Sequence, residues 1–186
     1  MAEARAAEQA NAAQTRAARD ATLAARFGDG VPGRGLIVAN LGVTVVVAVI
    51  SIAAIAAYKS LATPTVILDI VVFVAGLVIF AAALLAGAQR SRDAEMDVAG
   101  WFFLSRIAPP QVQRTMLGSL AVQVVVGIGA ALASHGAAVS AGDHASKLAF
   151  GTLVPIFGLA MCGLWGARYG AFPPRRPETK TTRKRK

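Results

Sequence analysis

The stretch that decides the fold runs from Val66 to Ala88 and reads VILDIVVFVAGLVIFAAALLAGA. Asp69 is its one charged residue. A helix needs about 20 mostly apolar residues to cross the ~30 Å hydrocarbon core of a bilayer, and this stretch is long enough. Its β-branched residues favour strands in water, but in hydrocarbon every backbone polar group must be satisfied within the segment. The stretch is therefore predicted to be a transmembrane helix.

Three further apolar runs of similar length cover residues 36–57, 115–134 and 148–167. The chain of 186 residues has a mean hydropathy of +0.56, and 16% of its residues are charged. Soluble domains carry about 25% charged residues, so this composition does not fit a water-facing domain. We predict an all-α fold, a four-span transmembrane helix bundle over residues 36–167.

The segments outside the bundle are expected to be a head and a tail. Alanine dominates residues 2–26, which predicts a cytoplasmic helix, and the glycines that follow predict a flexible hinge that completes a head over residues 1–35. The tail, residues 168–186, has no large apolar residue after Phe172 and is predicted to be disordered.

The distribution of positive charge predicts how the chain is threaded. The head, the loop over residues 89–114 and the tail carry 17 of the 19 lysines and arginines, and the other two loops carry one each. Short loops rich in Lys and Arg stay on the cytoplasmic side. Four spans place all three basic segments on one side, so both termini are predicted to be cytoplasmic. Arginine outnumbers lysine and alanine is abundant, which suggests a bacterial protein of the inner membrane.

The loop between the second and third spans contains Trp101, Phe102 and Phe103 among charged residues. Aromatic side chains beside charges suit the headgroup region, so a short interfacial helix is predicted between these spans. The alternative is a contact surface for another subunit.

The basic tail is predicted to bind anionic lipid headgroups of the bilayer, because clustered cations next to a span are attracted to them. Nucleic acid is not needed to explain the positive charge. The residues assigned to lipid are Arg175, Arg176, Lys180, Arg183, Lys184, Arg185 and Lys186.

Asp69, Gln123 and Asn40 are the candidates for contact with an ion or a substrate inside the spans. Asp69 lies about three residues inside its predicted span, where a helix N-terminus or the nearby Lys59 and Lys147 would stabilise a carboxylate. A structural cap or ion pair and a proton or ion site are both open. Gln123 and Asn40 fit interhelical hydrogen bonds, with substrate contact as the alternative.

Small residues in the spans are expected to let helix backbones approach closely, within one bundle or between chains. The residues assigned to packing are Ala83, Gly87, Gly118, Gly127, Gly129, Gly151, Gly158, Gly163 and Ala167. Pro155 interrupts the fourth span and is expected to kink it.

No pattern in the chain indicates an enzyme, a metal or a cofactor. Nucleophile elbows and paired metalloprotease histidines are absent, and His135 and His144 flank a loop rather than share a helix face. We therefore expect a non-catalytic accessory or scaffold subunit of a larger inner-membrane complex, with membrane-protein partners or copies of itself. The alternative is a small oligomeric transporter or channel that uses Asp69 and Gln123.

Overall fold

The computed structural model describes residues 2–28 and 30–175 of the chain. In these ranges the fold is helical, and four helices are long and apolar enough to cross a bilayer, as predicted. The fourth of them combines a 3₁₀ segment with an α-helix. The elements are α1 (Ala2–Phe27), α2 (Arg34–Ala56), α3 (Tyr58–Arg90), α4 (Val98–Phe103), α5 (Pro110–Ala133), α6 (His135–Ser140), the 3₁₀ segment (Lys147–Leu153) and α7 (Pro155–Tyr169).

The second span is much longer than predicted. Residues 58–65 were expected to be a loop, but α3 begins at Tyr58 and Ala57 alone separates it from α2. The 33 residues of α3 extend about 50 Å at 1.5 Å per residue, against a hydrocarbon core of ~30 Å. We name the two ends of the bundle after one residue at each. At the Tyr58 end α2 and α5 end and α3 and the 3₁₀ segment begin, near Ala57, Ser134 and Lys147. At the Arg90 end α3 and α7 end and α2 and α5 begin, at Arg90, Tyr169, Arg34 and Pro110.

Within the apolar runs of α2, α3 and α5, the buried face carries most of the polar side chains. Buried positions recur at alternating steps of mostly four and three residues, which is the spacing of left-handed helix packing. Lipid is as apolar as leucine, so small and hydrogen-bonding residues rather than large apolar ones hold the helices together. In α2 the buried residues are Asn40, Thr44, Val47, Ser51 and Ala54, and the exposed ones include Val38, Leu41, Val45, Val46, Val49 and Ile52.

Helix α7 is the central helix of the bundle. Ten of its 15 residues are buried, and it packs against α2, α3, α4 and α5. The contact with α3 is very close, because a Cβ on Gly76 would stand 2.8 Å from the Phe157 nitrogen. Towards the Arg90 end, Trp165 is fully buried and lies near Phe27 of α1, with 6.2 Å between ring centroids.

Aromatic residues of α4 pack onto the bundle. The indole Nε1 of Trp101 donates to the Gly163 carbonyl over 2.9 Å, and the ring lies against the notch at Gly87. Phe102 lies against Gly163 and stacks on Phe80, with 5.5 Å between centroids. Two of the three aromatic residues that suggest contact with lipid or a partner therefore contact this chain itself, whereas the third, Phe103, is half-exposed. The placement of α4 in the headgroup region stays a prediction.

The first part of the predicted tail is ordered, which corrects the expectation of disorder from residue 168. Helix α7 continues to Tyr169, and the Arg90 guanidinium donates to the carbonyls of Ala167 and Gly170 near its end. Arg175 then bonds the loop after α3, through its backbone nitrogen and through its side chain to the Ser91 carbonyl over 3.2 Å. The six other residues assigned to lipid lie outside the described residues.

Helix α1 covers the Arg90 end with its last two turns. Leu23 and Phe27 are buried there, whereas the alanines from Ala10 to Ala24 are exposed. The contact therefore uses the two large apolar side chains. The cytoplasmic location of α1 stays a prediction.

Candidate functional site

The site centres on Asp69, in the interior of the helix bundle. Its exposed fraction is 0%, and neither carboxylate oxygen has a hydrogen-bond partner among the residues the structure describes. The oxygen Oδ2 lies against the fourth span, 3.5 Å from where a Cβ on Gly151 would stand. Gly127 of α5 meets Gly151 at the same level, with backbone contact that leaves no room for a side chain.

Asp69 is neither a helix cap nor a member of an ion pair in the described chain. It is the twelfth residue of α3, about 16 Å from the start of the helix at 1.5 Å per residue. The helix dipole acts within the first turn, so it does not stabilise a carboxylate at this depth. Lys147 pairs with Asp143 instead, with 3.1 Å between Nζ and Oδ2. The expected cap depends on a helix that begins near Val66, whereas α3 begins at Tyr58.

Gln123 and Asn40, the other two candidates, are brought together by the fold. The Gln123 amide nitrogen donates to the Thr44 hydroxyl over 2.7 Å and lies 3.5 Å from the Asn40 oxygen. The Asn40 amide nitrogen in turn contacts the sulfur of Met116 at 3.8 Å. These contacts join α2 to α5 in the bundle interior. Thr44 was missed in the sequence, although it follows Asn40 by four residues on the same helix face.

The Gln123 oxygen Oε1 is buried and has no hydrogen-bond partner among the described residues. It lies against Gly158 of α7, where a Cβ would clash with it. Gln123 precedes Gly127 by four residues, so the Gln123 and Asp69 layers are about 6 Å apart along the bundle. Unpaired oxygens thus occupy two adjacent layers.

The fourth span changes helix type between these two layers. Residues 147–153 form a 3₁₀ helix and α7 begins at Pro155. A 3₁₀ run longer than about four residues is uncommon and often marks a hinge or strain. Pro155 lies in the first turn of α7, where its missing N–H costs no hydrogen bond, so it begins a helix rather than kinks a continuous one. Gly151 and Gly158, which face the two unpaired side chains, lie on either side of the change.

The small residues assigned to packing fall into two groups. Most lie at close contacts, as Gly87 does against Trp101 and Gly163 against Phe102, and Ala83 and Ala167 are buried. Gly118 and Gly129 lie on the exposed face of α5, where a Cβ would meet no atom within 4 Å. These two glycines therefore take no part in packing among the described residues, and a contact between chains stays a prediction for them.

A second polar group closes the Tyr58 end. The Tyr58 hydroxyl donates to Asp143 over 3.1 Å and accepts from the Lys147 backbone nitrogen over 2.9 Å. The Lys147 ammonium, followed by the Tyr58 hydroxyl, lowers the pKa of the Asp143 carboxyl below its usual 3.8, so Asp143 is ionised at neutral pH. Beside this group lies a cleft of about 270 Å³, which reaches Ala62 on α3.

A larger cleft, with a volume of about 840 Å³, is at the other end. It lies between the loop that carries α4 and residues 171–175, away from Asp69. Charges of both signs line it, including Asp97 and Arg106, and Asp97 already caps α4 by accepting from the Gly100 nitrogen. It has no buried unpaired group to mark it as a reaction site.

Metal binding has no candidate in the described residues, where no three His, Cys, Asp or Glu side chains lie close enough together to hold an ion. The lone thiol, Cys162, is buried in α7. Comparison with protein-family models, curated proteins and solved structures found no match for this chain.

Proposed function

We propose that this protein is a small membrane transporter or channel that moves protons, with Asp69 as the group that binds and releases them. The observation that carries the proposal is the fully buried Asp69 carboxyl with both oxygens unpaired in the described chain. Placing an ionised carboxylate in hydrocarbon without a partner is very costly, whereas the neutral acid is far less so. The proposed resting state is therefore a protonated Asp69.

A proton suits this site better than a metal cation does. Hard cations take six or more oxygen ligands, and Gly151, which lies against Asp69 Oδ2, has no side-chain oxygen to offer one. The nearest unpaired side-chain oxygen is that of Gln123, about one turn away. A carboxyl group needs no further ligand to hold a proton.

The interrupted fourth span supports a moving part at the same place. Broken helices in transporters line their binding sites and rearrange there, since backbone departs from regular helix only where protein or water surrounds it. The 3₁₀ segment lies against Asp69 and α7 begins beside Gln123, so a change in the join at Val154 would alter the surroundings of both.

The experiment is proton flux into proteoliposomes. Purified protein is reconstituted with a pH-sensitive dye inside, and a potassium diffusion potential drives proton entry. Wild-type vesicles should acidify at least about tenfold faster than Asp69→Asn vesicles, since the amide cannot carry a proton. Asp20→Asn is the matched control, because it removes an exposed carboxyl on α1, away from Asp69 and from the Tyr58 end. Equal flux in wild type and Asp69→Asn would refute the proposal.

A second candidate is the accessory or scaffold subunit of an inner-membrane complex. The open positions at Gly118 and Gly129 favour it, because small residues with no neighbour in this chain allow another helix to approach α5 closely. Crosslinking in native membranes through cysteines at these positions tests it. Capture of a different membrane protein supports a subunit role, capture of a second copy supports an oligomer of this chain, and an uncrosslinked monomer refutes both.

A further inference from the structure

We infer that protons reach Asp69 from the Tyr58 end, along one face of α3, and that the Tyr58 side chain is the gate of this route. The inference rests on the proposed function of Asp69 and adds a direction and a gate to it. Under the predicted threading, the Tyr58 end faces the outside of the cell.

One face of α3 forms the route. Tyr58, Ala62, Thr65 and Asp69 follow one another at steps of four, three and four residues, so they lie on the same side of the helix. All four are buried against the bundle. Between Tyr58 and Asp69 the side chains on this face are small, because they are those of Ala62 and Thr65.

The cleft at the Tyr58 end brings solvent close to this face. It is lined by Tyr58 and reaches Ala62, about 10 Å from Asp69 along the helix at 1.5 Å per residue. Thr65 lies between them and donates its hydroxyl hydrogen to the Leu61 carbonyl over 2.7 Å. Its oxygen keeps lone pairs that can accept a hydrogen bond from a water or a hydronium ion. One or two waters beside Thr65 would complete a path from the cleft to Asp69.

Tyr58 has the features of a gate. Its ring is only 5% exposed and lies one turn above Ala62. Its hydroxyl is held by Asp143 and by the backbone nitrogen of Lys147, both on the segment that leads into the 3₁₀ helix. A shift of that segment would release both hydrogen bonds together. The gate and the interrupted span next to Asp69 are therefore parts of one continuous stretch of chain.

The opposite direction is closed by large apolar side chains. Between the Gln123 layer and the Arg90 end the interior contains Met116, Met161, Trp165 and Leu104, each no more than 2% exposed. Trp165 is further held by a hydrogen bond from its indole to the Pro32 carbonyl over 3.1 Å. Protons do not cross such packing without water, so the way from Asp69 to the Arg90 end is closed in this conformation.

Cysteine accessibility in a Cys162→Ala background tests the route. A membrane-impermeant cationic thiol reagent is added to either side of oriented proteoliposomes. Thr65→Cys should react from the Tyr58 end, about tenfold or more faster when Tyr58→Ala removes the gate and its two hydrogen bonds. Ala62→Cys shows that the reagent enters the cleft, and Met116→Cys should stay unlabelled from both sides.

Two results would overturn the route: faster labelling of Thr65→Cys from the Arg90 end, or a rate unaffected by Tyr58→Ala while Ala62→Cys is labelled. Proton flux separates this failure from that of the proposed function. Flux lost in Asp69→Asn with labelling contrary to expectation refutes the route alone. Labelling as expected with flux unaffected by Asp69→Asn refutes the function alone.

Discussion

Replacing Asp69 should leave the protein as stable as before or more stable, although the residue is fully buried. A buried polar group without a hydrogen bond costs about 1–3 kcal/mol in proteins. Asp69→Val removes that cost at a similar side-chain volume, so the free energy of unfolding should rise by about 1–3 kcal/mol. Asp69→Asn keeps a polar side chain of the same shape, and its change should stay within about 1 kcal/mol.

The opposite sign is expected if Asp69 has a partner. Removing one member of a buried ion pair typically costs about 3–5 kcal/mol, because the other charge is left unpaired. Both variants would then be destabilised, Asp69→Val most. The measurement is reversible unfolding in mixed micelles of increasing denaturing detergent, followed by circular dichroism. If Asp69→Val lowers the free energy of unfolding by more than about 2 kcal/mol, Asp69 has a partner, because removing an unpaired buried group does not destabilise a protein in this way. Stability gained together with proton flux lost would identify Asp69 as a residue kept for function at a cost in stability.

Three further changes test the packing and the Tyr58 end, each by unfolding in detergent. Trp101→Ala should lower the free energy of unfolding by about 3–5 kcal/mol, because it empties the notch at Gly87 and leaves the Gly163 carbonyl without its hydrogen bond. Phe103 is half-exposed, so Phe103→Ala should cost under about 1 kcal/mol. Equal losses would contradict the observed packing of α4. Gly127→Leu should prevent folding or loosen the bundle, whereas Gly118→Leu should be tolerated by the isolated chain, and the reverse order would refute the assigned faces of α5. The pKa of Asp143 is lowered in the folded protein, so its contribution to stability is present above pH 3.8 and is lost as pH falls through the folded value. Stability should therefore fall less steeply with acid in Asp143→Asn than in wild type, and equal slopes would contradict a stabilising ion pair.

The spans could be predicted from the sequence because the bilayer sets their length. All four predicted apolar runs fall on the four long apolar helices of the structure, and the errors are at the ends, since the runs 36–57 and 115–134 each extend one residue past their helix. Residues 58–65 contain Lys59, Ser60, Thr63 and Pro64, which suggest a loop, yet the helix includes them. Hydropathy reports where a helix becomes apolar, and it does not report where its hydrogen bonds begin.

That error at the end of α3 changed the interpretation of Asp69. Counted from the apolar run, Asp69 is near a helix start, and counted from Tyr58 it is three turns inside. The sequence does carry a signal for the buried face, since Asn40, Thr44 and Ser51 recur at helical spacing on one side of α2. In lipid the face with polar and small residues is the buried one, which reverses the rule for soluble proteins.

The packing of individual glycines could not be predicted, because a small-residue pattern does not state which face meets a neighbour. Gly127 and Gly129 are two residues apart on α5, yet one lies against the 3₁₀ segment and the other is open. The contacts of Trp101 and Phe102 depend equally on tertiary structure. Their aromatic character suits the headgroup region and a glycine notch alike, and only the path of the chain decides between them.

The most direct test of the central claim is the infrared spectrum of the protein in lipid nanodiscs at neutral pH. A protonated Asp69 should give a carbonyl stretching band of a carboxylic acid that shifts in heavy water, is present in wild type and is missing from Asp69→Asn. Asp143→Asn should retain that band, since its carboxyl is ionised at this pH. Spectra of wild type and Asp69→Asn that are identical in this region would mean that Asp69 holds no proton, and would contradict the proposed site.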